Sequence, residues 1–270
     1  MLKSSETLTR ALSGFVYVVL LVVGTLYSFE SFFFLFGVFL ALCVFEFCLI
    51  LGIRPHLYIL LSLALYYVNA QLDIVYQNLI ICILALITSY KAIYYLFNLN
   101  NNTLKKHNRY IYLIGYLVNP FLILPELIKL PHQSFNPKII IGIFVLLWVN
   151  DTFAYLIGKN FGKHKLFEKV SPKKTIEGFV GGFIFTIIAS FIISYFFDFL
   201  SPFEWFIIAL IVGIFGNLGD LIESKFKRIA GVKDSGKIMP GHGGLLDRLD
   251  SFIFVVPYTF IYLKILPYVS

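Results

Sequence analysis

Long apolar runs alternate with short polar interruptions along the chain, and only two of the interruptions are long and densely charged. A helix crossing a bilayer needs roughly 20 mostly apolar residues, somewhat fewer when it is buried among others. Nine stretches fit that pattern, at about 12–28, 31–51, 56–70, 74–97, 110–128, 138–158, 178–200, 203–221 and 250–267. The third is short, and only a few residues separate the first two. No Pro/Ser/Gly-rich linker or internal repeat divides the sequence. The expected architecture is an all-α polytopic membrane protein with about nine transmembrane helices and a polar site at its cytoplasmic face. It forms one integral domain over 1–270, with apolar spans alone in 1–140 and both polar loops in 141–270. The first run lacks a small-residue cleavage site and more spans follow, so it is expected to remain as a span rather than act as a signal peptide.

Composition agrees: 59% of residues are apolar, 18% aromatic and 14% charged, with a mean hydropathy of +0.85. Such values lie far outside the soluble range, and the 30 Phe and 17 Tyr suit lipid-facing surfaces and interfacial belts. Cys43, Cys48 and Cys82 sit inside apolar runs without the paired spacing of a zinc site, and are read as small core residues. The net charge of +7 is unevenly placed. With a cytoplasmic N-terminus and alternating spans, all but Lys91, Lys129, Lys138 and Lys264 of the 22 Lys and Arg fall in inner segments. That asymmetry is the positive-inside pattern. It implies a multi-pass protein of the cytoplasmic membrane with both polar loops facing the cytoplasm, and it assigns the charge to anionic lipid and phosphate rather than nucleic acid.

Ionisable residues inside spans are candidates for function. Glu46 and Lys91 lie near the cytoplasmic ends of theirs, where snorkelling or a local ion pair suffices as an explanation. His56, His107, His132 and His164 read as isolated interface residues. Asn101-Asn102-Thr103 matches a glycosylation sequon but falls in an expected cytoplasmic loop.

The first polar loop follows the sixth span. Asp151, Tyr155 and Gly158 recur at i, i+4, i+7 and share a helical face. Gly158 and Gly162 fit close helix packing better than ligand approach. Ser171-Pro172 resembles a helix cap followed by proline in the first turn, which puts Lys173, Lys174 and Thr175 where free backbone N–H groups favour an anion. Glu177 is near enough to pair with one of the lysines. An ordinary positive-inside loop with a capped helix explains these features equally well.

The second loop, Gly219 to Ser251, is more specific. Asp220, Glu223, Ser224 and Lys227 follow i, i+3, i+4, i+7 spacing, and Asp247, Asp250 and Ser251 share a face of the helix beginning after Gly244. Between the two aspartates stand Lys225, Lys227, Arg228, Lys233, Asp234 and Lys237, with a Pro-Gly-His-Gly-Gly turn at 240–244. Carboxylates beside clustered cations suit a site holding metal ions and polyphosphate together, the acids meeting metal and the cations phosphate oxygens. Gly241, Gly243 and Gly244 around His242 allow a tight turn close to phosphates. Each residue has a plain structural alternative, as helix ends for Asp220 and Asp247, their ion pair for Arg248 and a turn histidine for His242. Their coincidence within one loop weakens that alternative.

The segment SKFKRIAGVKDSGKIMPGHGGLLDRLD at 224–250 closely resembles the signature of the phosphatidate cytidylyltransferases, the CDP-diacylglycerol synthases. The stretches at 151–162 and 171–178 resemble that family's other conserved region. The likeness covers about the C-terminal half, with Met239 as a mild departure before Pro240. The resemblance implies that CTP and phosphatidate yield CDP-diacylglycerol and pyrophosphate, with Mg²⁺ in a two-ion site, a monovalent cation such as K⁺, and a homodimer as a further expectation. On this reading the catalytic candidates are Asp220, Asp247, Lys227, Arg228, Lys233, Asp234, His242 and Arg248. The substrate-binding candidates are Asp151, Tyr155, Ser171, Lys173, Lys174, Thr175, Glu177, Gly243 and Gly244. Metal ligands are expected from Asp220, Glu223, Ser224, Asp247 and Asp250. The rivals are a CTP-dependent lipid-alcohol kinase or archaeal-type CDP-lipid synthase, and a transporter; the last should carry midplane charge and related halves, which are not seen.

Overall fold

Nine helical rods follow one another through a computed structural model that describes residues 2–72, 77–98, 104–130 and 134–265, the side chains of 2–7 excepted. They are α1 (Leu2–Tyr27), α2 (Phe29–Leu51), α3 (Pro55–Gln71), α4 (Gln77–Phe97), α5 (Lys106–Leu127), α6 (Lys138–Phe161), α7 (Ile176–Phe196), α8 (Pro202–Ile229) and α9 (Leu246–Ile265). The sequon and His132 lie outside the described residues.

Among the described residues seven helices are long and apolar enough to cross a membrane: α1 from Leu8, α2, and α4 to α8. The two remaining expected spans fall short for different reasons. Helix α3 has 17 residues, whereas α9 has 20 but carries Asp247, Arg248 and Asp250 at its start. Helix α8 continues past the expected end at 221 to Ile229, so Glu223 to Arg228 are helical.

Helix α9 forms the axis of the core. Thirteen of its residues are buried, from Leu246 to Leu263, and it touches α2, α4, α5, α6 and α8. A helix apolar on all sides belongs in an interior. Phe252 stacks on Phe144 of α6 at 4.2 Å between centroids, and Phe215 of α8 stacks on Tyr258 at 3.5 Å. Helices α6 and α7 form the closest pair because α7 presents glycines to α6. A Cβ on Gly182 would lie 2.6 Å from the Asn150 carbonyl oxygen and 2.9 Å from the Ala154 Cβ. Small residues permit such approach between membrane helices, and Phe153 then stacks on Phe185 at 3.7 Å.

The first polar loop differs from expectation. Residues Lys165–Phe167 (β1) and Ser171–Thr175 (β2) pair as an antiparallel hairpin, so Ser171-Pro172 does not open a helix. The cap is Thr175, whose Oγ1 accepts from the Gly178 N–H at 3.1 Å. Proline lacks a donor but is tolerated on a strand edge. Gly158 and Gly162 pack against Thr175, as expected of packing glycines.

Candidate active site

Two widened, π-helical turns interrupt the rods, at Tyr112–Val118 in α5 and Val212–Gly216 in α8. The second directly precedes Asn217 and Asp220, and such turns often re-aim side chains at functional positions. Asp220 faces a cavity of about 350 Å³ whose lining includes Asp151, Tyr155, Gly158, Lys173 and Lys174. The helical face read from the first loop and that read from the second therefore meet. Lys174 reaches from β2 to place its Nζ 2.7 Å from Asp220 Oδ2. Ser224 donates to Asp220 Oδ1 at 3.1 Å, and Asn150 donates to Asp151 Oδ1 at 3.4 Å. Burial opposes the charge of Lys174, but Asp220, and Asp151 behind it, outweigh burial and hold the ammonium above the usual lysine range. Lys173 and Tyr155 are exposed at the mouth, where Lys159 lies 5.8 Å over the Tyr155 ring.

The second cluster gathers around Asp247. Its Oδ2 accepts from the Gly244 N–H at 2.8 Å, the Ser235 N–H at 2.9 Å and the Ser235 hydroxyl at 3.0 Å. Its Oδ1 accepts from Lys227 Nζ at 2.6 Å. Lys227 also pairs with Glu223 one turn earlier on α8. The turn that makes this possible needs Gly243, at φ 89°, where a side chain would be strained and would meet Asp247 Oδ2 at 2.7 Å. Met239 and Gly243 close the turn through a 2.9 Å backbone bond, and His242 packs outward with Nδ1 2.8 Å from the Ser13 hydroxyl on α1. Arg248 donates to the His242 carbonyl at 2.8 Å, holding the turn rather than pairing with an aspartate.

Several expected assignments change. Glu177 does not meet a lysine: it accepts from the backbone of Lys163 and His164 and sits 2.6 Å from His164 Nδ1, so His164 is not isolated. The hairpin brings residue 164 back beside the start of α7, which sequence distance concealed. Lys225 points away from the site and donates to the carbonyls of Tyr95 and Asn98, closing the C-terminal end of α4. Ser171 is half-buried in β2. Arg228 folds onto the Val232 carbonyl at 3.0 Å, and Lys233 and Asp234 are exposed on the loop, Asp234 beside Gly243.

Glu46 neither snorkels nor forms an ion pair. It is 1% exposed, its carboxylate accepts from the N–H groups of Leu245 at 3.2 Å and Leu246 at 2.8 Å, and the Ser235 hydroxyl, 3.1 Å away, shares its one proton between it and Asp247. It thus closes the N-terminus of α9, where an anion is favoured. An acid inside an apolar run was the only signal for it. Ser235 and Ser13 gave none.

Among the described residues no three His, Cys, Asp or Glu side chains converge as a ready metal nest, and the carboxylates are instead neutralised by Lys174 and Lys227. The donor set nonetheless suits a hard cation. Both oxygens of Glu223 are buried without a hydrogen bond, leaving only the ion pair to Lys227, beside Asp250, whose Oδ1 accepts from the Ser251 N–H.

Chain comparisons agree with these motifs. Of the curated relatives, the phosphatidate cytidylyltransferase of Staphylococcus haemolyticus (strain JCSC1435) is 54% identical over 115 residues, 42% of this chain and 44% of that protein. The Staphylococcus aureus (strain COL) protein of the same name is 55% identical over 116 residues, covering 42% and 44%. That of Staphylococcus epidermidis is 47% identical over 126 residues, covering 46% and 48%. Each match spans less than half the length of the curated relative. The sequence model of the cytidylyltransferase family extends further, across residues 8–266, and by that match the chain belongs to this family.

Proposed function

We propose that the chain is a membrane phosphatidate cytidylyltransferase, joining the phosphate of phosphatidate to the CMP moiety of CTP with release of pyrophosphate. The observation that carries this reading is that the last turns of α8 hold both Asp220, paired with Lys174 of the hairpin, and Lys227, paired with Asp247 of α9. The lipid phosphate is already anionic, so no base is required. Its oxygen forms a bond to the α-phosphorus, the bond to the bridging oxygen breaks, and the electron pair leaves with pyrophosphate. The chain's task is to bring two anions together and offset the charge passing to the leaving group. Lys174 and Lys227 can exchange their carboxylate partners for phosphate oxygens, and Lys173 stands at the mouth. Asp220, Glu223, Ser224, Asp247 and Asp250 would hold Mg²⁺, as one or two ions, which supplies hard positive charge at the phosphates. A monovalent ion such as K⁺ belongs to the same proposal.

An apolar groove of about 460 Å³ between α1, α2 and the 238–245 loop, lined by Leu12, Val16, Leu20, Phe39 and Met239, is suited to an acyl chain. It runs beside the His242 turn, so a lipid lying there would present its phosphate near Asp247. Orientation with the site toward the cytoplasm, in a cytoplasmic membrane, follows from the basic residues. Nine crossings and a homodimer complete the proposal. The test is purified protein with CTP, phosphatidate and Mg²⁺. Pyrophosphate and a CDP-lipid, both lost with EDTA, are expected. Release of CDP with phosphorylation of a lipid alcohol would refute the reading.

A further inference from the structure

A second polar cleft, of about 540 Å³, opens between the α2–α3 turn and the start of α5. Its walls are Arg54, Leu57 and Tyr58 on one side and Lys106, Arg109 and Tyr110 on the other. Gly52, at φ 67°, closes α2 and turns the chain back so that Arg54 faces α5, with Gly52 itself 3.4 Å by its would-be Cβ from Arg109 Nη1. Among the described residues no acidic side chain lines the cleft and none of its three cations has an ion-pair partner. Like charges repel, and three converge here on a concave surface when a solvated loop could have spread them. Helix α3 begins in the same wall at Arg54 with no side-chain cap, so its first free N–H groups add positive potential. Leu57 and the Tyr58 and Tyr110 rings, 5.8 Å apart, give the cleft an apolar flank. Gly52 ends the helix that carries Glu46, about 9 Å further along it by the helical rise. The cleft therefore opens at the same end of the bundle as the candidate active site without sharing a lining residue with it.

We propose that this cleft binds a phosphate-bearing anion, the headgroup of an anionic lipid in that leaflet. Arginine forks give bidentate phosphate contacts and the apolar flank continues into the bilayer. The proposal stands apart from the chemistry assigned to the active site.

The test uses the purified full chain in detergent, with bound lipid counted by native mass spectrometry during titration with dioleoyl-phosphatidylglycerol or dioleoyl-phosphatidylcholine. The parent is expected to retain phosphatidylglycerol preferentially, and Arg54→Gln/Arg109→Gln to bind it about tenfold or more weakly. Arg54→Lys/Arg109→Lys keeps the charge but not the fork and should recover part of the difference, which separates lost recognition from lost folding. Competition by inorganic phosphate identifies the source of the anion: displacement at low millimolar concentration assigns a free phosphate, and resistance assigns the lipid. Equal retention of both lipids by the parent, or unchanged affinity in the Gln variant, overturns the proposal.

Discussion

Replacing Glu46 by Gln preserves the side chain's shape and converts one acceptor oxygen into a donor. The N–H groups of Leu245 and Leu246 donate to different oxygens, at 3.2 and 2.8 Å, and the Ser235 hydroxyl, 3.1 Å away, shares its one proton with Asp247 Oδ2. No rotamer of an amide can accept from all of them. A Cβ on Gly236 or Gly244 would lie 2.2 or 2.6 Å from the carboxylate, so backbone surrounds the group and leaves water little room. Leaving one buried donor unpaired costs about 1–3 kcal/mol. At about 2–4 °C per kcal/mol for a large chain, the unfolding midpoint should fall by roughly 2–12 °C. Turnover should fall further than stability, because the same turn of α9 orients Asp247, and small misplacements of a reacting constellation cost about 100-fold. The assay is thermal unfolding of purified protein in detergent beside pyrophosphate release at saturating CTP. Glu30→Gln, at an exposed position in the first turn of the same helix, is the control and should stay within about 0.5 kcal/mol of the parent. A Glu46→Gln protein matching the parent in both midpoint and turnover would refute the reasoning.

Asp220→Asn and Asp247→Asn should each abolish nearly all CDP-lipid formation while the protein still inserts; normal turnover in either purified variant sinks the site assignment. Lys227→Met leaves Glu223 and Asp247 buried without their common cation, at a cost of about 3–5 kcal/mol. Adding Glu223→Gln should recover part of the lost midpoint. Gly182→Leu should wedge α6 from α7 and cost about 1–3 kcal/mol, read as a lower midpoint together with weaker CTP binding, because α6 carries Asp151 and Tyr155 at the cavity. Burial, then Arg248 and Arg10, hold His242 below its ordinary pKa. Its folded state thus favours the neutral ring, and the contribution to stability is present above the unfolded histidine value and lost as pH falls through the folded one. The midpoint of the parent should drop on acidification below about pH 6.5, and His242→Gln should flatten that slope. An identical slope in the variant would contradict the assignment.

Much of the fold was legible because lipid-spanning helices announce themselves by length and apolarity. The rods between Leu8 and Ile229 that fit a membrane match seven expected stretches. Helical spacing also placed Asp220, Glu223, Ser224 and Lys227 on one face, where the fold pairs Asp220 with Ser224 and Glu223 with Lys227. Three things were not legible. The β1–β2 hairpin rests on backbone pairing between segments that carry no strand pattern, with Glu177 accepting from residues 163 and 164 at its base, and a Ser-Pro pair in isolation looks like a helix start. Lys225 is one residue from Ser224 and reads like its neighbours, yet the helical rotation turns it to α4. Glu46 lies about 200 positions from the amides that it accepts from, a separation across which periodicity says nothing.

That last distance bears on modularity. The residues with recognisable motifs lie in the C-terminal half, which invites the idea of a catalytic module carried on an inert anchor. Yet the first turn of α9 rests on a carboxylate from α2, and the glycine turn rests on Ser13 of α1. Grafting the motif-bearing half onto other spans would transplant the reacting groups without the floor that aims them. The N-terminal helices are inseparable from the site, and exchanging halves between relatives should succeed only where an acceptor equivalent to Glu46 travels with its loop.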